Sequence, residues 1–308
     1  MLKEPFNLFN EVKFVVQETF KQWLDDNMML HAAGLAFYTI FSLAPLLIII
    51  IAVTGFFFGE QAASGQLSLF IEGAVGEDMA SSVESIVSGV AQGGQGTLAT
   101  ILSTGILLFA ATTVLSQLKE SLNIVWNVDK SLKQPVKMFF INRMLALLLI
   151  ILFSLALIAT FMISTIVSFL GPFLDDIIPG GFGFYNIINS VFFLIISTLL
   201  FSFIYKLLPD VRVKWTDVLV GAFVTSILFL IGRSAVTYYL SNAATTSTYG
   251  AAGSFVILLI WVYYNVMMIF VGAEFTQIYT KRYGSEVRPG RYLRKNPVQK
   301  KKVKDITT

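Results

Sequence analysis

The chain has 308 residues, 56% of them hydrophobic and 13% charged, with a formal net charge of +3. About a quarter of an ordinary soluble domain is charged, so this is the composition of a membrane protein. Cysteine is absent and His31 is the single histidine, which excludes disulfides, thiolate metal sites and histidine clusters and implies no cofactor.

The first element is "FNLFNEVKFVVQETFKQWL", Phe6 to Leu24, where Phe9, Val12, Val16, Phe20 and Trp23 recur at helical spacing. The pattern predicts an amphipathic helix lying at the cytoplasmic membrane interface. Six stretches then reach the roughly 20 apolar residues needed to cross a hydrocarbon core about 30 Å thick. They are Ala32 to Phe58, Thr97 to Leu118, Phe139 to Leu170, Ile187 to Tyr205, Trp215 to Leu240 and Gly250 to Thr280. The first run is too long for the core of a cleavable signal peptide and serves as its own insertion signal. Between the first two spans, residues 59–96 carry Glu60, Glu72, Glu77, Asp78 and Glu84, with Met79, Val83, Ile86, Val87 and Val90 at helical spacing. An acidic amphipathic helix on the outer face is expected there. Both amphipathic helices could frame the bundle or take part in gating or partner binding.

The fold class is therefore all-α, a polytopic protein of six transmembrane helices. Residues 1–31 carry the N-terminal amphipathic helix, 32–282 form the membrane domain with its outer segment 59–96, and 283–308 form a basic tail. Lysine and arginine orient it, because short loops rich in them stay cytoplasmic. The N-terminal segment, the second-to-third and fourth-to-fifth connections and the tail hold 21 of the 22 basic residues, and the alternate connections hold none. Both termini are placed in the cytoplasm. The tail, punctuated by prolines, is expected to be disordered and to attract anionic lipid headgroups; it lacks the aromatic interleaving of a nucleic-acid binder. A homo-oligomer or an envelope protein partner is left open.

Two charges fall deep inside the apolar runs. Glu274 stands in "MIFVGAEFTQIY", seven residues before Lys281 and so about 10 Å inside the boundary; Arg233 lies at a similar depth from the other side. A charge at the bilayer centre costs at least about 2.5 kcal/mol, so each needs a partner or water. Gln117, Lys119, Arg143 and Lys206 are candidate partners for Glu274 by depth, and Glu60, Asp175 or Asp176 for Arg233. Either the charges only orient their helices, or they line a polar path with Gln117, Asn265 and Tyr264. Thr112, Ser116 and Glu120 share a face of span two that could belong to a cavity or to helix packing. Pro45 is expected to bend span one, as a hinge or a fixed kink, while Gly250, Gly253 and Gly272 let helices approach closely.

The stretches "AAGLAFYTIFSLAPLL", "SLNIVW", "LLPDVRVKWTDVLVGA" and "STYGAAGSFVILLIWVYYNVMMIFVGAEF" resemble the YihY/BrkB family of bacterial inner-membrane proteins. The likeness spreads over nearly the whole membrane region and implies a six-helix protein of the inner membrane. The family's recurring positions fall here on Ser42, Pro45, Asn123, Trp126, Leu208, Pro209, Tyr249, Gly250, Gly253, Trp261, Gly272, Ala273 and Glu274. Its former label, ribonuclease BN, sits poorly with these residues: a nuclease needs clustered carboxylates or histidine and lysine acid-base pairs, and this sequence has neither. No enzyme activity is expected. There is also no GxxxxGK[ST] stretch to power a pump. The family's link to the envelope suggests transport of a lipid or an envelope-related amphipathic substrate, with Glu274 as an inner gate or proton-sensitive site. A membrane scaffold that binds envelope partners is the competing reading.

Overall fold

A computed structural model describes residues 8–59, 64–65, 68, 97–128, 136–177, 181–243, 250–284 and 287–289. The acidic segment and most of the basic tail lie outside the described residues, as do the side chains of Pro45 and Arg233 and the surroundings of Gly250 and Gly253. The helices are α1 (Leu8–Asp25), α2 (Met28–Phe58), α3 (Thr97–Val125), α4 (Val136–Ile177), α5 (Gly181–Leu207), α6 (Trp215–Ala243) and α7 (Gly250–Tyr283). Each long apolar run is a helix because a chain in lipid has no water to satisfy its backbone and must close every hydrogen bond internally.

Helix ends follow local chemistry. Asn27 separates α1 from α2 in the left-handed conformation, and Asn127 follows α3 with the same φ of 53°. Asparagine tolerates that region better than other residues with a side chain. α5 stops at Leu207 because Pro209 disfavours the helical conformation at Leu208. α2 continues as one helix across Pro45. A two-residue strand, β1 (Val211–Arg212), pairs antiparallel with β2 (Arg288–Pro289). β2 lies within the tail expected to be disordered.

Among the described residues, four helical stretches are long and apolar enough to cross a membrane: Phe139–Thr160, Ser190–Leu207, Trp215–Gly232 and Leu258–Tyr283. Met28–Leu43 in α2 is a shorter apolar helical stretch. Only 22% to 39% of the four longer stretches is buried within the protein, so most of their surface faces outward, where lipid can cover it.

α5 packs on α6, α6 on α7, and α2 on α3, α4 and α7. The main core joins Met28 and Leu35 of α2, Leu122 and Val125 of α3, Tyr205 of α5, Val218 and Ala222 of α6, and Phe270 of α7. A smaller cluster of Leu47, Ile50, Ala111 and Ile150 binds α2, α3 and α4. Lipid is as apolar as leucine, so close packing and polar contacts must hold such helices together. Gly272 makes one such approach: a Cβ there would lie 1.9 Å from Thr225 Oγ1 and 2.6 Å from the Tyr205 hydroxyl. The Tyr205 hydroxyl donates to Ile269 O at 2.8 Å and lies 3.0 Å from Thr225 Oγ1, joining α5, α6 and α7 at one point.

α1 packs on α7 and buries Val15, Thr19 and Trp23. The predicted apolar stripe is thereby split. Trp23 turns into the core, while Phe9, Val12, Val16 and Phe20 stay exposed, together with Leu24. The helix is held by a clasp: Arg282 Nε and Nη2 each donate at 2.8 Å to the Glu11 carboxylate, Tyr283 donates to the same group, and the guanidinium lies 4.2 Å from the Phe14 ring.

Candidate functional site

Glu274, Gln277 and Lys281 recur at i, i+3 and i+7 on α7, so they share one face. That face meets the turn between α1 and α2 and the end of α3. Gln277 Nε2 donates to Val125 O, the last residue of α3. Its Oε1 is buried without a partner. Glu274 is 0% exposed, and neither of its carboxylate oxygens accepts a hydrogen bond from an N–H or hydroxyl donor. Its ionisable neighbours are the Asp26 carboxyl and the Lys281 ammonium.

Asp26 comes from the two-residue break between α1 and α2. Burial raises its carboxyl above the usual range, while the charges of Lys281 and His31 pull the other way. Two neighbouring carboxyls disfavour each other's charged form. The two carboxyls are therefore coupled, each setting the electrostatic surroundings of the other.

None of the partners expected for Glu274 meets it. Lys119 donates instead to Asp210 Oδ1 at 2.7 Å and Asn142 Oδ1 at 2.8 Å. Asn123 Nδ2 donates to Asp210 Oδ2 at 3.1 Å, and the Asp210 N–H returns a bond to Asn123 Oδ1 at 2.8 Å. This network fastens the α5–α6 connection to α3. Lys206 donates to Val213 O and lies 5.5 Å from the Trp215 ring. Arg143 turns towards Thr112 and Phe109. Depth along the membrane normal predicted four partners; lateral packing selected none of them.

The other site residues are also dispersed. Gln117 has no side-chain bond to this face, and its carbonyl accepts from Ser121 at 3.2 Å. Asn265 donates to Trp261 O of its own helix at 2.7 Å. The Tyr264 hydroxyl fills the space over Gly232, where a Cβ would lie 2.2 Å away. Asn265 and Tyr264 stand nine and ten residues from Glu274 on the same helix, about 14 and 15 Å along its axis. Thr112 and Ser116 donate back to Leu108 O and Thr112 O at 2.7 and 2.9 Å, a packing arrangement.

Two carboxylates that organise this structure, Asp26 and Asp210, went unrecognised in the sequence. Asp210 lies beside the "LLPDVRVKW" residues already singled out, and a carboxylate following a proline turn was the available signal. Asp26 stands in "LDDN", which reads as a polar connector, and nothing local pairs it with a residue so far along the chain.

The family described as Virulence factor BrkB matches residues 19–295. Among curated relatives, a UPF0761 membrane protein of Aliivibrio fischeri (strain ATCC 700601 / ES114) is 26% identical over 259 residues, covering 82% of this chain and 79% of its own. One from Pseudoalteromonas translucida is 28% identical, covering 82% of this chain and 81% of its own. Another from Psychromonas ingrahamii is 23% identical, covering 87% and 89%. No solved structure matches the chain. The match takes in α2 to α7 and both Asp26 and Glu274, and the chain belongs to the BrkB family of membrane proteins.

Proposed function

We propose that the protein is an inner-membrane translocator of a lipid or envelope-related amphipathic substrate, with the Asp26–Glu274 pair as its proton-sensitive element. The observation that carries this reading is the state of Glu274: fully buried, in an apolar stretch of α7, with another carboxyl beside it and no hydrogen-bond donor from the backbone or a hydroxyl. A carboxyl kept only for structure is normally satisfied by donors, because an unsatisfied buried polar group costs about 1–3 kcal/mol and a charge costs more. A proton-exchanging group has a different requirement: it must exist in two states within one packing. Intramembrane carboxyls of that kind mark proton relays and substrate paths.

The distribution of basic residues supports six spans with both termini in the cytoplasm and Glu274 towards that side. Energy then comes from a proton or substrate gradient, without a nucleotide site.

A scaffold that binds envelope partners is the second reading, and the sealing of Glu274 by protein favours it. Leaflet exchange of a fluorescent anionic lipid in proteoliposomes separates the two. Exchange above that of empty vesicles, lost in Glu274→Gln and with its pH profile moved in Asp26→Asn, is the expected result. Wild-type exchange equal to empty vesicles would overturn passive lipid translocation. Envelope proteins co-purifying equally with wild type and Glu274→Gln would then favour the scaffold.

A further inference from the structure

Arg143 stands on α4, four residues after Phe139 and so about 6 Å inside the apolar stretch that begins there. Its Nη1 donates to Thr112 Oγ1 at 2.5 Å, Phe109 O at 3.1 Å and Thr113 Oγ1 at 3.4 Å. Its Cζ lies 4.2 Å from the Phe109 ring centroid and 5.2 Å from that of Phe139. All of these contacts are to neutral groups, and Nε is buried with no partner at all. Among the described residues no carboxylate pairs with it. Thr112, which fixes the guanidinium, is buried, whereas Phe109, Phe139, Phe140 and Met144 are exposed on the outward surface.

We propose that Arg143 is a binding site for the phosphate of a membrane phospholipid, walled by Phe109 and Phe139 and oriented by Thr112. A cation held about one turn inside an apolar helix needs a counter-charge, and at that depth the abundant anion is the lipid phosphate. The guanidinium presents a planar fork that matches phosphate oxygens, and aromatic walls that shed water strengthen the pairing. The outward rings favour an occupant with acyl chains over a free ion, because chains can cover them. The site depends on membrane location alone and stands whether or not the protein translocates lipid.

Native mass spectrometry of the full chain in detergent tests it, with phosphatidylglycerol, diacylglycerol or inorganic phosphate added. Wild type is expected to retain phosphatidylglycerol and not diacylglycerol, with about ten-fold weaker retention in Arg143→Gln. Arg143→Lys keeps the charge without the fork and should fall between them. The basic residues after Lys281 contribute equally to every variant, so the difference reports the site. Should Arg143→Gln aggregate on size exclusion, Thr112→Val, which keeps the charge and frees its orientation, is expected to weaken retention about three-fold. Equal retention by wild type and the folded variants would overturn the proposal. Displacement of the lipid by millimolar inorganic phosphate would overturn the lipid assignment in favour of a soluble anion.

Discussion

Removing the Asp210 carboxylate should be among the most costly single changes outside the apolar core. Asp210 accepts from the Lys119 ammonium at 2.7 Å and from Asn123 Nδ2 at 3.1 Å, and the two side chains of the ion pair are 6% and 22% exposed. Asp210→Ala leaves that ammonium with Asn142 as its remaining hydrogen-bond partner. Breaking a buried pair by deleting one member costs about 3–5 kcal/mol; the partial exposure of Asp210 admits water and sets the expectation near about 3 kcal/mol. The double change Lys119→Met with Asp210→Asn removes the stranded charge and should cost less than Asp210→Ala alone. Unfolding in mixed micelles can be followed through tryptophan, since Trp126 is buried one residue past α3, and thiol dyes have no cysteine to report on. A loss below about 1 kcal/mol for Asp210→Ala, or a double variant as unstable as the sum of its singles, would refute the reasoning.

Gly272→Val should destabilise the bundle by about 1–3 kcal/mol or more through overlap with Thr225 and Tyr205, and Thr225→Ala should restore part of it in the same assay. Arg282 holds the Glu11 carboxyl below the usual carboxylate range. The clasp therefore contributes fully above that range and is lost as pH falls through the lowered folded value, so acid should raise hydrogen exchange in α1, and Arg282→Ala should raise it already at neutral pH. Asp26 has the opposite sign: its folded value is raised by burial, so its ionisation opposes folding at neutral pH and stability should rise as pH falls through that value. Asp26→Asn should flatten that part of the stability profile.

Helix positions were legible because the 3.6-residue repeat and the length of each apolar run are local properties. The expected start of span five at Trp215 coincides with the start of α6. Partners were not legible in the same way. Glu274 was recognisable as an anomalous charge, but its neighbour comes from a turn near the other end of the chain, and no periodicity encodes which helices lie side by side. Gln117, Asn265 and Tyr264 were grouped with it on depth and polarity; the rise of α7 alone separates the last two from Glu274. Lys119 failed as a partner for a definite reason, namely that Asp210, hidden after Pro209, competes for it at closer range.

The packing of α7 bears on how the chain is made. α7 leaves the ribosome after α1, α2, α3 and α6 and contacts all four. Before it emerges, Val125 O lacks Gln277, Glu11 lacks Arg282, and the Tyr205 hydroxyl lacks its Ile269 acceptor. α4, α5 and α6 each carry an apolar stretch long enough to enter the bilayer on its own hydropathy, yet the contacts made by α7 wait until it arrives. A nascent chain stopped before Gly250 would have Asp26 facing no Glu274, so closure of the tertiary structure waits on contacts between segments far apart in sequence.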